Sequence, residues 1–175
     1  MPTGAGFTYV PFVIDLFSRR ILSWATSTSH DAAFVEEALR MVLWQRRNGS
    51  ESRKVAIQGT IHYSDAGSGH TSQRFTQTLA EEGLVPSIGT IGDAFDNAAA
   101  ETVMGLFRNE AAARDSRFRS GPLAAESDVV DWVHWYNTVR LHSTLGYRSP
   151  VEFEKLYYDE FNGVLPDVAA SKLAA

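Results

Sequence analysis

The first thirty residues carry an apolar pattern typical of two β-strands. The stretch from Phe7 to Asp15 is rich in Tyr, Val, Phe and Ile, and it predicts a strand in which Pro11 occupies an edge or a position without a ladder hydrogen bond. Residues 19–28 (RRILSWATST) predict the antiparallel partner, with a turn near residues 16–18. We therefore expect a β-hairpin near the start of the sequence.

A helical period follows this hairpin. Asp31 is a suitable N-cap for a helix that extends to about Arg47. The predicted apolar face of this helix contains Phe34, Val35, Ala38, Leu39 and Val42. The side predicted to face water contains Glu36, Glu37 and Arg40.

Strands and helices then alternate along the chain. Residues 55–64 predict a strand that leads to Asp65 and a glycine-rich turn. Thr71 or Ser72 is expected to cap the next helix, which Gly83 ends.

The second half of the chain is predominantly helical. Residues 84–88 predict a short strand, and a loop of small residues follows it. The remaining predicted helices cover residues 97–114, residues 123–139 and a short piece from Pro150. This order of elements predicts an α/β domain.

Composition places the chain among globular proteins. Its 175 residues are 44% apolar and 21% charged, enough for one domain with a substantial core. Cysteine is absent, which excludes a disulfide framework and a thiolate metal site. There is no apolar run of about 18 residues, and residues 1–6 lack the features of a signal peptide. We therefore expect a soluble cytosolic protein.

Net charge weighs mildly against a nucleic-acid partner, because it is −5. Much of the excess lies in residues 151–175, which carry five acids against two lysines. Thirteen of the sixteen basic residues are arginine, whose planar guanidinium suits phosphate recognition. Metal ions at a site would also offset local negative charge.

Two carboxylates occupy positions suited to chemistry. Asp65 lies just past a predicted strand, at the edge where α/β sheets place their ligands. Glu101 lies one turn into a helix that follows a glycine-rich loop, and 35 residues (66–100) separate the two acids. Spacing alone carries little weight, because most acidic pairs at arbitrary separations are solvated surface charges.

Four motifs around these acids occur in a recognisable order between residues 7 and 154. Residues 62–68 (HYSDAGS) and 92–101 (GDAFDNAAAE) resemble the second-aspartate and glutamate motifs of insertion-element transposases related to retroviral integrases. Residues 13–20 (VIDLFSRR) resemble the second strand of that family. The C-terminal signature of the family is matched by Trp135, Tyr136, Asn137, Arg140, His142, Ser143, Leu145, Gly146, Tyr147, Ser149 and Pro150.

The resemblance implies a fold and a reaction. The fold is RNase H-like, a mixed sheet flanked by helices. The reaction is metal-dependent phosphodiester cleavage and strand transfer in DNA transposition, by a D-D-E triad that holds two Mg²⁺ or Mn²⁺ ions. Carboxylate oxygens suit these hard cations. In this sequence the resemblance makes Asp65 the second acid and Glu101 the third.

Three residues are expected to contact DNA. Glu101, Gly105 and Arg108 are spaced i, i+4 and i+7, so they share one helix face. Gly105 would allow close approach of a DNA backbone, and Arg108 stands where the family usually has a DNA-contacting lysine. Ser68, within the second-aspartate motif, is the third expected contact.

The sequence departs from the family at its first acid. That aspartate lies on the first strand, about twenty residues before the position of Val13, whereas here six residues precede Phe7 and none is acidic. Asp15 matches a non-catalytic family position. We therefore expect the chain to lack the first aspartate and the first, central strand. Unpaired backbone groups on both neighbouring strands would lower stability unless another segment filled the gap.

Two functions and several partners remain open at this stage. The chain is either an incomplete catalytic core or a catalytically inactive remnant that binds DNA weakly or associates with a full-length transposase. The predicted domains are an incomplete core at residues 1–154 and a tail at residues 155–175. Expected partners are the element ends and target DNA, further copies of the chain on DNA and a separately encoded helix-turn-helix protein, in the bacterial cytoplasm at the nucleoid.

Several other residues have structural interpretations that we favour. His62 and His142 are expected to be structural rather than to contact DNA or metal-bound water. Asp93 and Asp96 are expected to cap the helix of Glu101. Trp132 and Trp135 are expected to pack in a core or interface.

Overall fold

The computed structural model describes residues 2–3, 6–29, 32–48, 57–64, 73–88, 94–112, 122–160 and 172–174. A two-stranded ribbon of β1 (Pro2–Thr3) and β2 (Gly6–Phe7) comes first. The predicted hairpin is confirmed, but its ladder is shorter, with β3 (Phe12–Asp15) antiparallel to β4 (Ile21–Trp24). A further bridge joins Tyr9 and Ser27 outside these strands.

The other half of the main sheet is parallel. β5 (Ile61–Ser64) pairs in parallel with β6 (Val85–Ile88), and α2 (Gln73–Glu81) connects them. Pro86 lies in β6, an edge strand, where the lack of a backbone N–H is tolerated. Gly83 follows α2 with a φ of 73°, which confirms it as the residue that ends the helix.

The centre of the main sheet is occupied by β7 (Lys172–Ala174), from near the end of the sequence. The strand order is β4-β3-β7-β5-β6. β7 runs antiparallel to β3 and parallel to β5, so it joins the hairpin to the parallel pair. The expectation of a sheet without a central strand is corrected here, because a downstream segment supplies the backbone partners of both neighbours.

Helices cover both faces of this sheet. They are α1 (Ala32–Asn48), α2, α3 (Ala94–Phe107), α4 (Pro122–Thr138) and α5 (Pro150–Glu160). Because successive strand residues point to opposite faces, Ile14 packs with α3 and α4, whereas Val13 packs with α1 and α2. The α/β class is therefore confirmed, as a mixed sheet between two helical layers.

The aromatic part of the core lies between the hairpin, α3 and α4. The ring of Phe107 lies 5.4 Å from that of Phe12 and 5.1 Å from that of Trp132, both edge-on. Trp132 is buried, as predicted, and its Nε1 donates to Glu110 at 3.2 Å. Trp135, by contrast, is 39% exposed, so it does not lie in the core, and its packing in an interface stays a prediction.

One charge predicted to face water is buried instead. The side chain of Glu36 in α1 is only 3% exposed and accepts hydrogen bonds from Arg40 and Thr78. Burial raises the pKa of Glu36, but these bonds and the charge of Arg74 outweigh it, so the pKa lies below its ordinary value. The helical period marked this position as polar, yet α2 packs over it and supplies the partners.

The last described helix bears on the predicted domain boundary. That boundary follows residue 154, which lies inside α5, and Glu154 itself is buried. The predicted tail therefore contributes the second half of α5 and β7. No helix in the described part of the chain is long and apolar enough to cross a membrane.

The position of β7 gives a prediction about stability. Replacing Leu173 with proline is expected to lower the free energy of unfolding by about 1–3 kcal/mol, because it removes a backbone donor from a strand with partners on both sides. Urea denaturation followed by circular dichroism measures this change. The control is Leu173→Ile, which keeps the N–H and is expected to change stability much less. Equal stability of the proline and isoleucine variants would contradict the central placement of β7.

Candidate functional site

Of the two predicted catalytic acids, the structure describes Glu101 but not Asp65. Asp65 and Ser68 lie outside the described residues, but β5 ends at Ser64, immediately before Asp65. Glu101 lies in α3 and is exposed to solvent. Since α3 packs against β5 and β7, the helix that carries Glu101 contacts the strand that leads to Asp65.

The predicted face of α3 is open. Apart from its chain neighbours and the backbone of its own helix, no described atom lies within 4 Å of the position that a Cβ on Gly105 would take, and Arg108 is exposed. The side chains of Glu101 and Arg108 make no hydrogen bond or ion pair with a described residue. Val103 and Phe107 are buried on the opposite side.

Beyond Phe107 the helix widens into a π-helical turn at Arg108–Ala112. Such turns are rare and often occur at functional sites. Here the turn directs Glu110 towards α4, where it accepts hydrogen bonds from Trp132 and from Arg140. Arg108 is the first residue of this turn, so it sits where the regular helix ends. The predicted helix to residue 114 therefore has a change of pitch within it.

Asp15 is engaged by its neighbours and is not a free ligand. Its Oδ1 accepts the Phe17 N–H at 3.0 Å, and its Oδ2 accepts from Ser18 at 3.0 Å and from Arg46 at 3.2 Å. Burial raises the pKa of Asp15 by more than Arg46 lowers it. These contacts agree with the sequence interpretation that Asp15 is not catalytic.

No group of three acidic or histidine side chains that could hold a metal ion gathers among the residues that the structure describes. Asp65 is outside that set, as is Asp93, and the side chain of Asp96 is not described. The predicted cap at Asp93 therefore stays a prediction, whereas Asp96 is the third residue of α3 and does not precede the helix, so its predicted position before the helix is wrong. Of the acids in the two motifs around Asp65 and Glu101, only Glu101 has a described side chain, and its exposed carboxylate has the oxygen chemistry that Mg²⁺ and Mn²⁺ favour.

The structure gives physical roles to the C-terminal signature. Asn137 accepts the Ile21 N–H at its Oδ1 (2.9 Å) and donates its Nδ2 to the Ile21 carbonyl (2.8 Å), so it joins α4 to β4. The guanidinium of Arg140 lies 5.7 Å from the Tyr136 ring centroid. The His142 ring lies edge-on to the same tyrosine, at 4.8 Å. These residues brace α4 against the hairpin and the following loop.

Both predicted structural histidines are buried. His62 lies in β5 with its ring 5.5 Å from that of Phe75. His142 donates its backbone N–H to Arg148, and its carbonyl accepts from Leu145 and Tyr147. These interior positions support the structural interpretation.

A cavity of about 610 Å³ opens beside these residues. We call it the signature cavity, because Tyr136 and the loop 140–144 form much of its wall. The opposite wall is α3, and Ile14 and Arg19 complete it. Sequence reasoning identified Arg140 and His142 only as family positions and did not single out Arg19. The signal that could have identified Arg19 is its position, since it is a basic residue directly after the predicted hairpin turn.

The buried His142 gives a pH-dependent prediction. Burial and the charge of Arg140 lower the pKa of His142 below its ordinary value of 6.5. The unfolded chain therefore binds a proton at a higher pH than the folded chain does. We expect the free energy of unfolding to fall as the pH drops below about 6.5.

Urea denaturation across pH 5–8 measures this dependence. His142→Gln removes the titrating ring and is expected to flatten the curve in this range. The control is His134→Gln, at an exposed position of α4, which is expected to leave the curve unchanged. A curve that flattens equally in both variants would refute the assignment to His142.

Comparison with known proteins agrees with this architecture. Two families, each described as integrase core domain, match residues 1–94 and residues 72–150. The transposase for insertion sequence element IS629 of Shigella sonnei is 41% identical over 156 residues, which cover 89% of this chain and 49% of that protein. A putative transposase for IS986/IS6110 of Mycobacterium tuberculosis is 39% identical, over 89% and 55%. The chain spans about half the length of these relatives.

Solved structures of viral integrase cores share the fold. The HTLV-2 integrase catalytic core domain in complex with magnesium has a TM-score of 0.58 at 13% identity, over 81% of each chain. The catalytic core domain of BIV integrase has a TM-score of 0.60 at 13% identity, over 88% of this chain and 90% of that one. The predicted RNase H-like fold is thereby confirmed. With more than half of its residues matched by the first of the two families, the chain belongs to the integrase core domain family.

Proposed function

We propose that this chain is the DNA-processing core of an insertion-element transposase, which cleaves and joins phosphodiester bonds. The observation that carries the proposal is the exposed face of α3. It presents Glu101, an open Gly105 and Arg108 on a helix that packs against β5, the strand that ends one residue before Asp65. The relatives named as insertion-element transposases support the same reaction class.

Asp65 and Glu101 would be the metal ligands. Their carboxylate oxygens fit Mg²⁺ or Mn²⁺, and the exposed Glu101 forms no ion pair with a described residue that would compete for it. When bound, such ions activate the attacking oxygen and stabilise the leaving oxygen of a phosphodiester. The HTLV-2 core was solved in complex with magnesium, which supports the choice of cation.

The remaining residues of this face would position DNA. Gly105 leaves space for a backbone to approach the helix, and Arg108 supplies a positive charge for a phosphate. Ser68 would add a hydroxyl donor from the loop after β5. Because phosphate contacts carry no sequence information, recognition of the element ends would fall to a separately encoded helix-turn-helix partner.

Assembly on paired DNA ends is part of the proposal. The HTLV-2 core was solved in dimeric and trimeric forms, which supports a homo-oligomer for this chain as well. The expected site of action is the bacterial nucleoid.

The experiment that tests the function uses end-labelled element DNA with Mn²⁺. The chain is compared with a version extended upstream so that a first strand and its aspartate are supplied. We expect cleavage by the extended version and none by the 175-residue chain. Cleavage by neither protein would contradict the transposase assignment. Cleavage by the shorter chain, with or without cleavage by the extended version, would show that the first aspartate is dispensable.

A second candidate is a catalytically inactive protein that binds DNA weakly or associates with a full-length transposase. The engagement of Asp15 by Arg46, Ser18 and the Phe17 N–H favours it, because this acid of β3 is not free to replace the first aspartate. Co-expression tests the candidate: the chain would lower the transposition frequency of an intact element. An unchanged frequency would count against it.

A further inference from the structure

We propose that the signature cavity binds an unpaired nucleotide of a DNA strand. The inference rests on the proposed function, because that function makes DNA the partner. It assigns a second DNA site on the side of α3 next to the face of Glu101. Ala98 and Thr102 line the cavity and lie three residues before and one residue after this glutamate. A strand bound at Glu101 would therefore have a nucleotide within reach of the cavity.

Backbone strain is concentrated on the cavity wall. Among the residues that the structure describes, Arg19 and Tyr147 are the two non-glycine residues with positive φ, at 60° and 56°. Both of them line the cavity. Left-handed conformations are unfavourable for such side chains, and strain of this kind clusters at binding sites. Two such residues in the lining of one cavity indicate that the cavity is shaped for a contact.

The loop that carries Tyr147 holds its ring outwards. The Tyr147 N–H donates to the His142 carbonyl at 2.9 Å, and Gly146 before it is also left-handed, with a φ of 65°. Leu145 anchors the loop in the core. The Tyr147 side chain is nevertheless 73% exposed, so burial does not compensate for the strained backbone. An exposed aromatic ring beside a cavity, on a backbone held by a hydrogen bond, is suited to stacking on a base.

The cavity is also positively charged. Arg19 and Arg140 line it, and none of the described lining residues is acidic. Arg19 makes no hydrogen bond or ion pair with another described residue, and the bonds from Arg140 to Glu110 are long, at 3.3 and 3.4 Å. In a chain whose net charge is −5, this pairing of arginines with an aromatic ring matches the chemistry of a nucleotide phosphate and its base.

The size and lining of the cavity favour an unpaired nucleotide over a duplex. Its volume of about 610 Å³ lies in the range of small-ligand sites. Thr102, Ser143 and Thr144 add exposed hydroxyls for hydrogen bonds. A base in the interior of a duplex has both faces covered by its neighbours, so it must leave the stack before it can stack on Tyr147.

Fluorescence anisotropy with a short labelled oligothymidine, in EDTA, tests the site. Arg19→Asn and Tyr147→Asn are the informative variants, because asparagine tolerates the left-handed conformation and removes only the charge or the ring. We expect each variant to weaken oligothymidine binding about tenfold or more. Their unfolding midpoints in urea are expected to match or exceed that of the original chain, since the backbone strain is relieved.

Arg148→Asn is the matched control, because it removes an exposed charge from the same loop but outside the cavity lining. Its effect on oligothymidine binding is expected to be small. The same probe annealed to oligoadenine gives the duplex arm, which Arg19→Asn and Tyr147→Asn should weaken much less. Equal losses of oligothymidine affinity in all three variants would overturn the inference, as would equal losses for the single-stranded and the duplex probe. Either result would indicate general electrostatic attraction instead.

Two further outcomes separate the possible failures. Competition by thymidine monophosphate as strong as that by the oligonucleotide would overturn the DNA-strand assignment, because the site would then take a free nucleotide. If Arg19→Asn and Tyr147→Asn leave oligothymidine binding unchanged while the extended version still cleaves element DNA, this inference is overturned and the proposed function is not. Failure of that cleavage assay is what would remove the proposed function.

Discussion

Replacing Glu101 with glutamine is expected to reduce DNA strand cleavage by the upstream-extended version at least about 100-fold, the upper end of the loss that follows from disturbing groups around a metal. Glutamine has nearly the same shape as glutamate but carries no negative charge, so it is a poor ligand for a divalent cation. Because Glu101 is exposed and forms no bond with a described residue, the substitution should leave stability unchanged.

Cleavage of end-labelled element DNA in Mn²⁺ measures the loss, and DNA binding is measured on the same samples in EDTA. Because the substitution removes a negative charge beside DNA, the affinity of the Glu101→Gln protein for DNA should be unchanged or higher. Glu126→Gln, at an exposed position of α4, is the matched control and should retain full cleavage. A Glu101→Gln protein that cleaves as fast as this control would refute the role of Glu101 as a metal ligand.

Replacing Arg46 with methionine is expected to lower the free energy of unfolding by about 3–5 kcal/mol. Arg46 lies between two buried acids, donating to Asp15 at 3.2 Å and to Glu154 at 2.9 Å, and its side chain is 13% exposed. Removing it leaves these carboxylates facing each other, with only Arg20 still paired with Glu154. The loss is large because the acids keep their burial and lose the charge that offsets it.

Urea denaturation at pH 7 measures this effect. The adjacent Arg47 is the control: its side chain is 52% exposed and pairs with Glu82, so Arg47→Met should cost about 0–1 kcal/mol. Adding Glu154→Gln to Arg46→Met should recover part of the loss, because one uncompensated charge is removed. Similar losses for Arg46→Met and Arg47→Met would show that this charge network is not buried in solution.

The order of helices and strands could be predicted from the sequence, because apolar residues repeat with a different period in each kind of element. The alternation of Val13 and Ile14 between the two helical layers follows from that period. Glu36 was misplaced because its polarity matched a solvent-facing position, and only the packing of α2 brings Thr78 and Arg74 to it. Long-range partners of this kind leave no local trace in a sequence.

β7 was missed for a related reason. β7 has only three residues, 172–174, and lies in a segment that we predicted to be a tail. A strand this short shows no alternation of polar and apolar residues that could be recognised in the sequence. Its place in the sheet depends on two neighbours distant in sequence. The exposed position of Glu101 on α3 was easier to predict, because a helix face is a local property, whereas its role in a site stays a prediction. The strain at Arg19 and Tyr147 is a backbone property that residue types do not encode.

The position of β7 also determines the order in which the sheet can form. The hairpin of β3 and β4 and the parallel pair of β5 and β6 are each built from nearby segments, but they meet only through a strand that follows residues 65–171. Contacts across so much intervening chain slow folding, because the ends must meet before any bond forms. We therefore expect β7 to pair after the hairpin and the parallel pair have formed. Until then the inner edges of β3 and β5 would be exposed, and strands of other molecules could pair with them.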